Sequence, residues 1–213
     1  MKISKYYLRR GLTAIIFAVF STGQMAQAQE IYNLESTPAT VQLRTNSLYD
    51  LALCPNIGLE IQTDNGIAFQ IDYIGAWWSK DAKHRYWQNY AFQTEFRYYL
   101  SGISTEMPYL GHHIGVYGQL ATYDFEFGST GYQCNNLDKS WGIGLSYGYR
   151  IPLSRHFSMD FTLGLGVFRT RYTQYNPNYS GYKASKWGKM DWYGPTKLEV
   201  SFVWNINNKN VVH

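Results

Sequence analysis

The chain has 213 residues, 18% aromatic and only 16% charged, which excludes a disordered segment and favours an aromatic-rich β architecture. Its formal charge of +4 resides in Lys2, Lys5, Arg9 and Arg10, since the other 15 of its 19 basic residues balance 15 acidic ones. That balance removes the electrostatic footprint of nucleic-acid binding, and no nucleic-acid partner is expected.

The first 28 residues have the layout of a secretory signal. A basic start, MKISKYYLRR, precedes an apolar run from Gly11 to Phe20 and ends in Ala26-Gln27-Ala28. The apolar run is too short for a helical span, which takes about 20 residues. No other stretch is long and apolar enough, so any membrane span must be built of strands. The expected organisation is a cleaved signal peptide at 1–28, a periplasmic lead-in at 29–40, a β domain at 41–206 and a short tail at 207–213.

Alternation begins at Val41, with Val41, Leu43, Thr45, Ser47, Tyr49, Leu51 and Leu53 on one face, and Cys54-Pro55-Asn56 breaks it. A second strand runs through Ile57, Leu59 and Ile61. Asp64-Asn65-Gly66 then reads as a hairpin turn, because Asn-Gly accepts the positive φ such turns need. The third strand carries Ile67, Phe69, Ile71 and Tyr73 and ends near Trp77-Trp78. After a charged loop at 79–85 comes the longest alternation, Trp87 to Leu100. Phe92, Phe96 and Tyr98 share one face there, and Glu95 and Arg97 the other. Globular strands average about 5–6 residues, whereas a tilted membrane-spanning strand needs about 9–11. A connector at 101–109 leads to strand five at Ile114–Ala121, and 126–139 reads as a long loop. Strands six (Trp141–Ile151) and seven (Phe157–Val167) flank a turn at 152–156. A loop at 175–190 precedes strand eight, Trp192–Asn205.

Eight strands joined by alternating short turns and long loops predict an all-β, eight-stranded antiparallel up-and-down transmembrane β-barrel. Its inward list holds Arg44, Glu60, Asp72, Glu95, Arg97, Arg150, Asp160, Lys197 and Glu199. So narrow a lumen is just wide enough for side chains, so these charges must pair and form a polar plug. Glycines at 142, 144, 148, 164 and 166 leave room for large inward neighbours such as Tyr117 and Arg150. Tyr49, Trp77, Tyr86, Trp141, Tyr172, Trp192 and Trp204 lie near strand ends, where an interfacial girdle would sit. The competing arrangement is a soluble periplasmic ligand-binding barrel, with the charged face in water and the apolar face as core.

Several segments carry a resemblance: Leu43–Asp50, Pro55–Glu60, Gly75–Trp78, His84–Trp87, Glu95–Leu100, Gly111–Tyr117, Tyr123–Gly128 and Gly194–Lys197. In this order, over nearly all of the chain after residue 28, they resemble a family of small bacterial outer-membrane barrels of unassigned function, with an OmpA-like eight-stranded barrel. The resemblance implies the outer membrane of a Gram-negative bacterium. It also implies an association with fimbrial or surface assembly, so an envelope or fimbrial protein is one expected partner. It carries over no catalytic residue.

For chemistry, His112 and His113 with Ser140 or Ser146 and Asp124 supply the ingredients of a rim-active lipid hydrolase. Adjacent histidines on a strand point to opposite faces, however, so they cannot serve one site together. Neither a catalytic site nor a metal or other cofactor is expected. Cys54 and Cys134 both fall in connections on the long-loop rim and could bridge in an oxidising envelope. Lys183, Lys186 and Lys189 could meet lipopolysaccharide phosphate. Outer-membrane lipid and lipopolysaccharide are the expected surroundings, and the expected state is a monomer.

Overall fold

The computed structural model describes residues 40–63, 66–80, 85–100, 109–154, 156–176 and 184–206. The signal-like segment 1–28, the lead-in before Thr40, Asp64 and Asn65, the loop residues 81–84, the connector 101–108, residues 177–183 with Lys183, and the tail 207–213 lie outside the described residues.

The strands are β1 (Thr40–Asn46), β2 (Asn56–Gln62), β3 (Ile67–Lys80), β4 (Arg85–Tyr99), β5 (Gly111–Phe127), β6 (Thr130–Cys134), β7 (Ser140–Pro152), β8 (Phe157–Tyr175) and β9 (Ala184–Asn205). All neighbours are antiparallel, in the order β4-β3-β2-β1-β9-β8, and the β4–β5 and β7–β8 pairings close the sheet on itself. β6 and β7 lie end to end between β5 and β8, with β6 along Tyr123–Phe127 and β7 along Gly111–Leu120 of β5. They share one position, so the sheet is a ring of 8 strands. The ring is complete at the terminal end. Towards the far end β1 pairs only with Ser201–Asn205 of β9 and β2 only with Ala68–Ile74 of β3, so the facing edges of β9 and β3 run on past the short strands between them.

The ring has two distinct ends. At one, which we call the terminal end, lie the start of β1, the end of β9 and the β2–β3, β4–β5 and β7–β8 connections. Gly66 takes a φ of +75° in the β2–β3 turn, where a side chain would be strained. At the other, the far end, lie the β1–β2, β3–β4, β5–β6 and β8–β9 connections.

Period-two alternation runs inverted relative to a soluble protein. Along β4, Glu95 and Arg97 are buried inside the ring while Phe96 between them is 55% exposed. Ile57, Leu59, Ile61, Phe69, Ile114, Val116, Ile143, Leu145, Leu163, Leu165 and Leu198 are likewise exposed on the outer surface of their strands.

The structure departs from the sequence reading at three places. The first strand stops at Asn46, and Ser47–Leu51 form a short helix, α1. Asn46 is the reason: its side-chain oxygen accepts from the backbone N–H groups of Leu48 and Val200, and its amide donates to the Leu198 carbonyl. The same side chain thus caps α1 and fastens β1 to β9. The expected loops shrink as well. β3 and β4 continue into 79–85, β6 occupies part of 126–139, and β9 starts at Ala184 within 175–190. Finally, β9 carries a bulge opposite Gly164/Leu165, beside Gly194 with a φ of +143°. Pro195 sits there without an N–H to donate, and Thr196 is the extra residue.

The inward glycines make space. A Cβ on Gly164 would lie 2.6 Å from the Tyr117 ring and 2.7 Å from Cβ of Lys197. Gly164→Val should therefore cost about 1–3 kcal/mol of stability by overpacking. Thermal unfolding followed by circular dichroism should show this as a lowered melting temperature. Gly118→Ala, whose new Cβ would meet nothing nearer than 3.9 Å, should melt close to wild type.

Candidate functional site

The interior of the ring divides into a charged half towards the terminal end and an aromatic half towards the far end. In the charged half, the long inward side chains of neighbouring strands must share a space too narrow for bulk water. Arg44 on β1 contacts Glu60 at 3.1 Å, Glu199 at 2.9 Å, Asp160 at 3.4 Å and Asp72 at 3.5 Å. Arg150 on β7 grips Glu60 through both terminal nitrogens, at 3.0 and 2.6 Å, the fork geometry that makes guanidinium–carboxylate pairs strong. It also reaches Asp160 at 3.1 Å. Arg97 on β4 pairs with Glu95 at 2.9 Å and Glu199 at 3.2 Å, and closely with Asp160. Lys197 on β9 contacts Glu95 and, at 3.2 Å, Glu199.

Neutral groups complete the set. Gln70 accepts from Arg44 at 2.6 Å and donates to Asp72, Gln93 donates to Glu199 at 2.9 Å, and Tyr99 donates to Glu60 at 3.0 Å. His113 on β5 bonds Asp160 at 2.8 Å, and Ser146 on β7 donates to Glu95. Every position of the ring therefore supplies at least one member: β1, β2, β3, β4, β5, β7, β8 and β9. All the plug residues named from the sequence point into this one network and are buried, Asp72 a little less than the others. The sequence reading did not select Gln70, Gln93, Tyr99 or the buried His113 as members. Their signal was available: each falls on the inward phase of its strand.

The aromatic half holds a partly open cavity of about 590 Å³. Ile74, Ala91 and Ala121 form one wall across β3, β4 and β5, with Ala91 directly opposite Ala121. Tyr123, Phe125 and Tyr132 rise along β5 and β6, while Phe168, Thr170 and Tyr172 on β8 face Trp192, Met190 and Gly188 on β9. Tyr49 on α1 lines the side where β1 and β2 stop short. Burial, with Glu199 and Asp72 nearby, pushes its phenol up to about 12, so it stays neutral at physiological pH. Gln119 and Thr196 mark the floor, joined by a Gln119 side-chain bond to the Thr196 carbonyl.

This geometry corrects part of the expected girdle. Trp77, Trp141 and Trp204 do lie on the outer surface. Tyr49, Tyr172 and Trp192 line the cavity instead. Tyr49 is carried inward by α1, and Trp192 lies beyond the Pro195–Thr196 bulge, where the phase of β9 is reversed. The side chain of Tyr86 lies outside the described residues. Cys54 and Cys134 are both free, so the bridge is not formed. Cys54 packs against Ile74 and Ala76 of β3, whereas Cys134 sits opposite Tyr123 of β5, on a different arc of the ring. Of the hydrolase ingredients, His112 is exposed and bonds Tyr147, while His113 and Ser146 are buried against different carboxylates. Among the described residues, no group of three His, Cys, Asp or Glu is arranged to hold a metal ion.

A family model described as "Protein of unknown function (DUF3575)" matches residues 13–206. The chain belongs to the DUF3575 family. No curated protein and no solved structure matches it. In this DUF3575 chain the charged half of the interior makes a direct demand. Deleting one partner leaves buried carboxylates without their counterion. Arg97→Leu should lower unfolding stability by about 3–5 kcal/mol, read as a large drop in melting temperature. Arg169→Leu, which breaks an exposed pair with Asp191, should leave the melting temperature nearly unchanged. An unaltered melting temperature in Arg97→Leu would rule out a structural plug.

Proposed function

We propose that this chain is an exported outer-membrane β-barrel whose plugged lumen makes it a structural or surface-interaction protein rather than an enzyme or a pore. The observation that carries this reading is the inverted polarity of the ring: apolar residues are exposed around its outside while its ion pairs are buried inside. Soluble monomers rarely expose a contiguous apolar patch larger than a few hundred Å², and here strands around the ring contribute to one. Strands of 13 to 22 residues at β3–β5 and β7–β9 exceed the roughly 9–11 that a tilted span requires. No helix among the described residues is long and apolar enough to cross a membrane, which leaves spanning to the strands.

In this reading the connections at the far end face outwards. Beyond the apolar belt the far ends of β8 and β9 carry Arg169, Arg171 and Lys189, which suit the phosphates of outer-leaflet lipid. The far-end connections also present the surface an envelope or fimbrial partner would meet. The non-enzymatic reading rests on His113 and Ser146: each is buried and bonded to a carboxylate already held in the plug. Expression of His113→Ala or Ser146→Ala should leave the lipid A profile of the cells as the wild-type protein leaves it. A changed profile would favour a lipid-modifying enzyme.

The membrane reading is tested by gel migration of protein extracted from membranes. The unboiled sample should run faster than the boiled one, as folded membrane barrels do. Identical migration, with the protein recovered in the soluble periplasmic fraction, would overturn it. In planar bilayers, insertion should give no stable conductance of nanosiemens size, because the plug spans the lumen.

A further inference from the structure

An eight-position ring is ordinarily filled by its own side chains, and the charged half of this one is. The far half is not. Three adjacent strands present Ile74, Ala91 and Ala121 where large residues would fill the space, so the wall recedes. The opposing wall is large and flat-sided, with Phe168, Met190 and Trp192. The resulting cavity, about 590 Å³, lies within the roughly 300–1,000 Å³ typical of small-molecule sites. No carboxylate, amine, guanidinium or imidazole is among its lining residues. Its floor polar groups are largely engaged with one another: Gln119 with the Thr196 carbonyl, the Tyr117 hydroxyl with that of Thr196, and the Tyr123 hydroxyl with that of Thr170 at 2.8 Å. Behind them stand Lys197, Glu199 and Glu95, paired among themselves, so the cavity is blind towards the terminal end.

We propose that this cavity is a binding site for a neutral, predominantly apolar small molecule bearing planar rings. The aromatic faces supply stacking surfaces. Asn89 and the phenols of Tyr49 and Tyr132 supply a few polar contacts for orientation. A charged group is rejected because it would enter without a counterion. The site goes beyond the structural role proposed above. It is a property of the ring and does not depend on whether the outer belt meets lipid.

The test uses two fluorescent probes on the purified full-length protein, in the amphiphile or buffer that keeps it soluble, with that medium alone as blank. N-phenylnaphthylamine is neutral; anilinonaphthalene sulfonate adds an anionic group to the same kind of ring system. The neutral probe should give saturable one-site enhancement above the blank, and the sulfonate should bind at least tenfold more weakly. Ala121→Phe and Ala91→Phe each fill the cavity and should reduce affinity for the neutral probe at least tenfold while the circular dichroism spectrum is kept. A neutral-probe signal that only parallels the blank would overturn the proposal. So would equal affinity for both probes, or folded filling variants that bind like wild type. The probe pair decides on the wild-type protein alone, so the outcome stands even if a filling variant does not fold. A protein that fails the gel-migration test yet binds the neutral probe would lose the membrane reading and keep this one.

Discussion

The constraint on which this molecule depends is that no charge inside the ring can be left alone. Asp160 is shared by Arg44, Arg97, Arg150 and His113, and Glu60 by the three arginines and Tyr99. Taking such groups out of water costs several kcal/mol each, and their mutual attraction recovers it only when the geometry is right. An apolar filling would serve stability about as well. What charges add is discrimination among registers. A one-residue slip of β4 would turn Glu95 and Arg97 to the outer surface and bring Phe96 inside. Because the network draws on every position of the ring, such a slip on any strand orphans partners on several others. Closure and register are thereby coupled.

The same constraint explains which parts of the structure were legible in the sequence. Charged residues recurring at every second position within otherwise apolar strands have few explanations. That pattern identified Arg44, Glu60, Glu95, Arg97, Arg150 and Asp160 as members of one interior. Neutral partners such as Gln70, Gln93 and Tyr99 carry no such signal, since amides and phenols are common on either face of a strand. They emerge only when their strands are placed side by side. Strand phase separates His113 from His112, but its partner Asp160 lies 47 residues away and no local pattern links the two.

Errors arose where local chemistry interrupts the period. Ser47 to Leu53 alternates convincingly, yet Asn46 captures the Leu48 N–H and turns the chain into α1. Here a side-chain cap overrides propensity. β6 was hidden in a polar stretch because a Gly-containing hairpin and a short 3-10 turn break the apolar pattern on both sides of it. The pairing of β6 is visible only in its partners. Tyr175 of β8 lies across Gly131 and donates to Asp124 of β5, tying that arc together beyond the apolar belt. Burial, with the carboxylates of Asp124 and Glu126 beside it, holds that phenol well above its usual value, so the donor is retained over the physiological range.

The bulge in β9 has the widest consequence for so small a change. Below it, Gly164 faces Lys197 and Thr162 faces Glu199, so β9 gives the plug its lysine and one of its carboxylates. Continued without interruption, that register would set Tyr193 opposite Phe168, Asp191 opposite Thr170 and Lys189 opposite Tyr172. The far half of the interior would then hold an acid and a base. The extra residue, Thr196, shifts the partners by one, so that Phe168 faces Trp192, Thr170 faces Met190 and Tyr172 faces Gly188. Asp191 and Lys189 are left outside, where Arg169 joins them, and Gly188 leaves the space that the Tyr172 ring fills. One strand can thus line a charged compartment and an apolar one in succession, and the boundary between them lies at the residue that breaks the period.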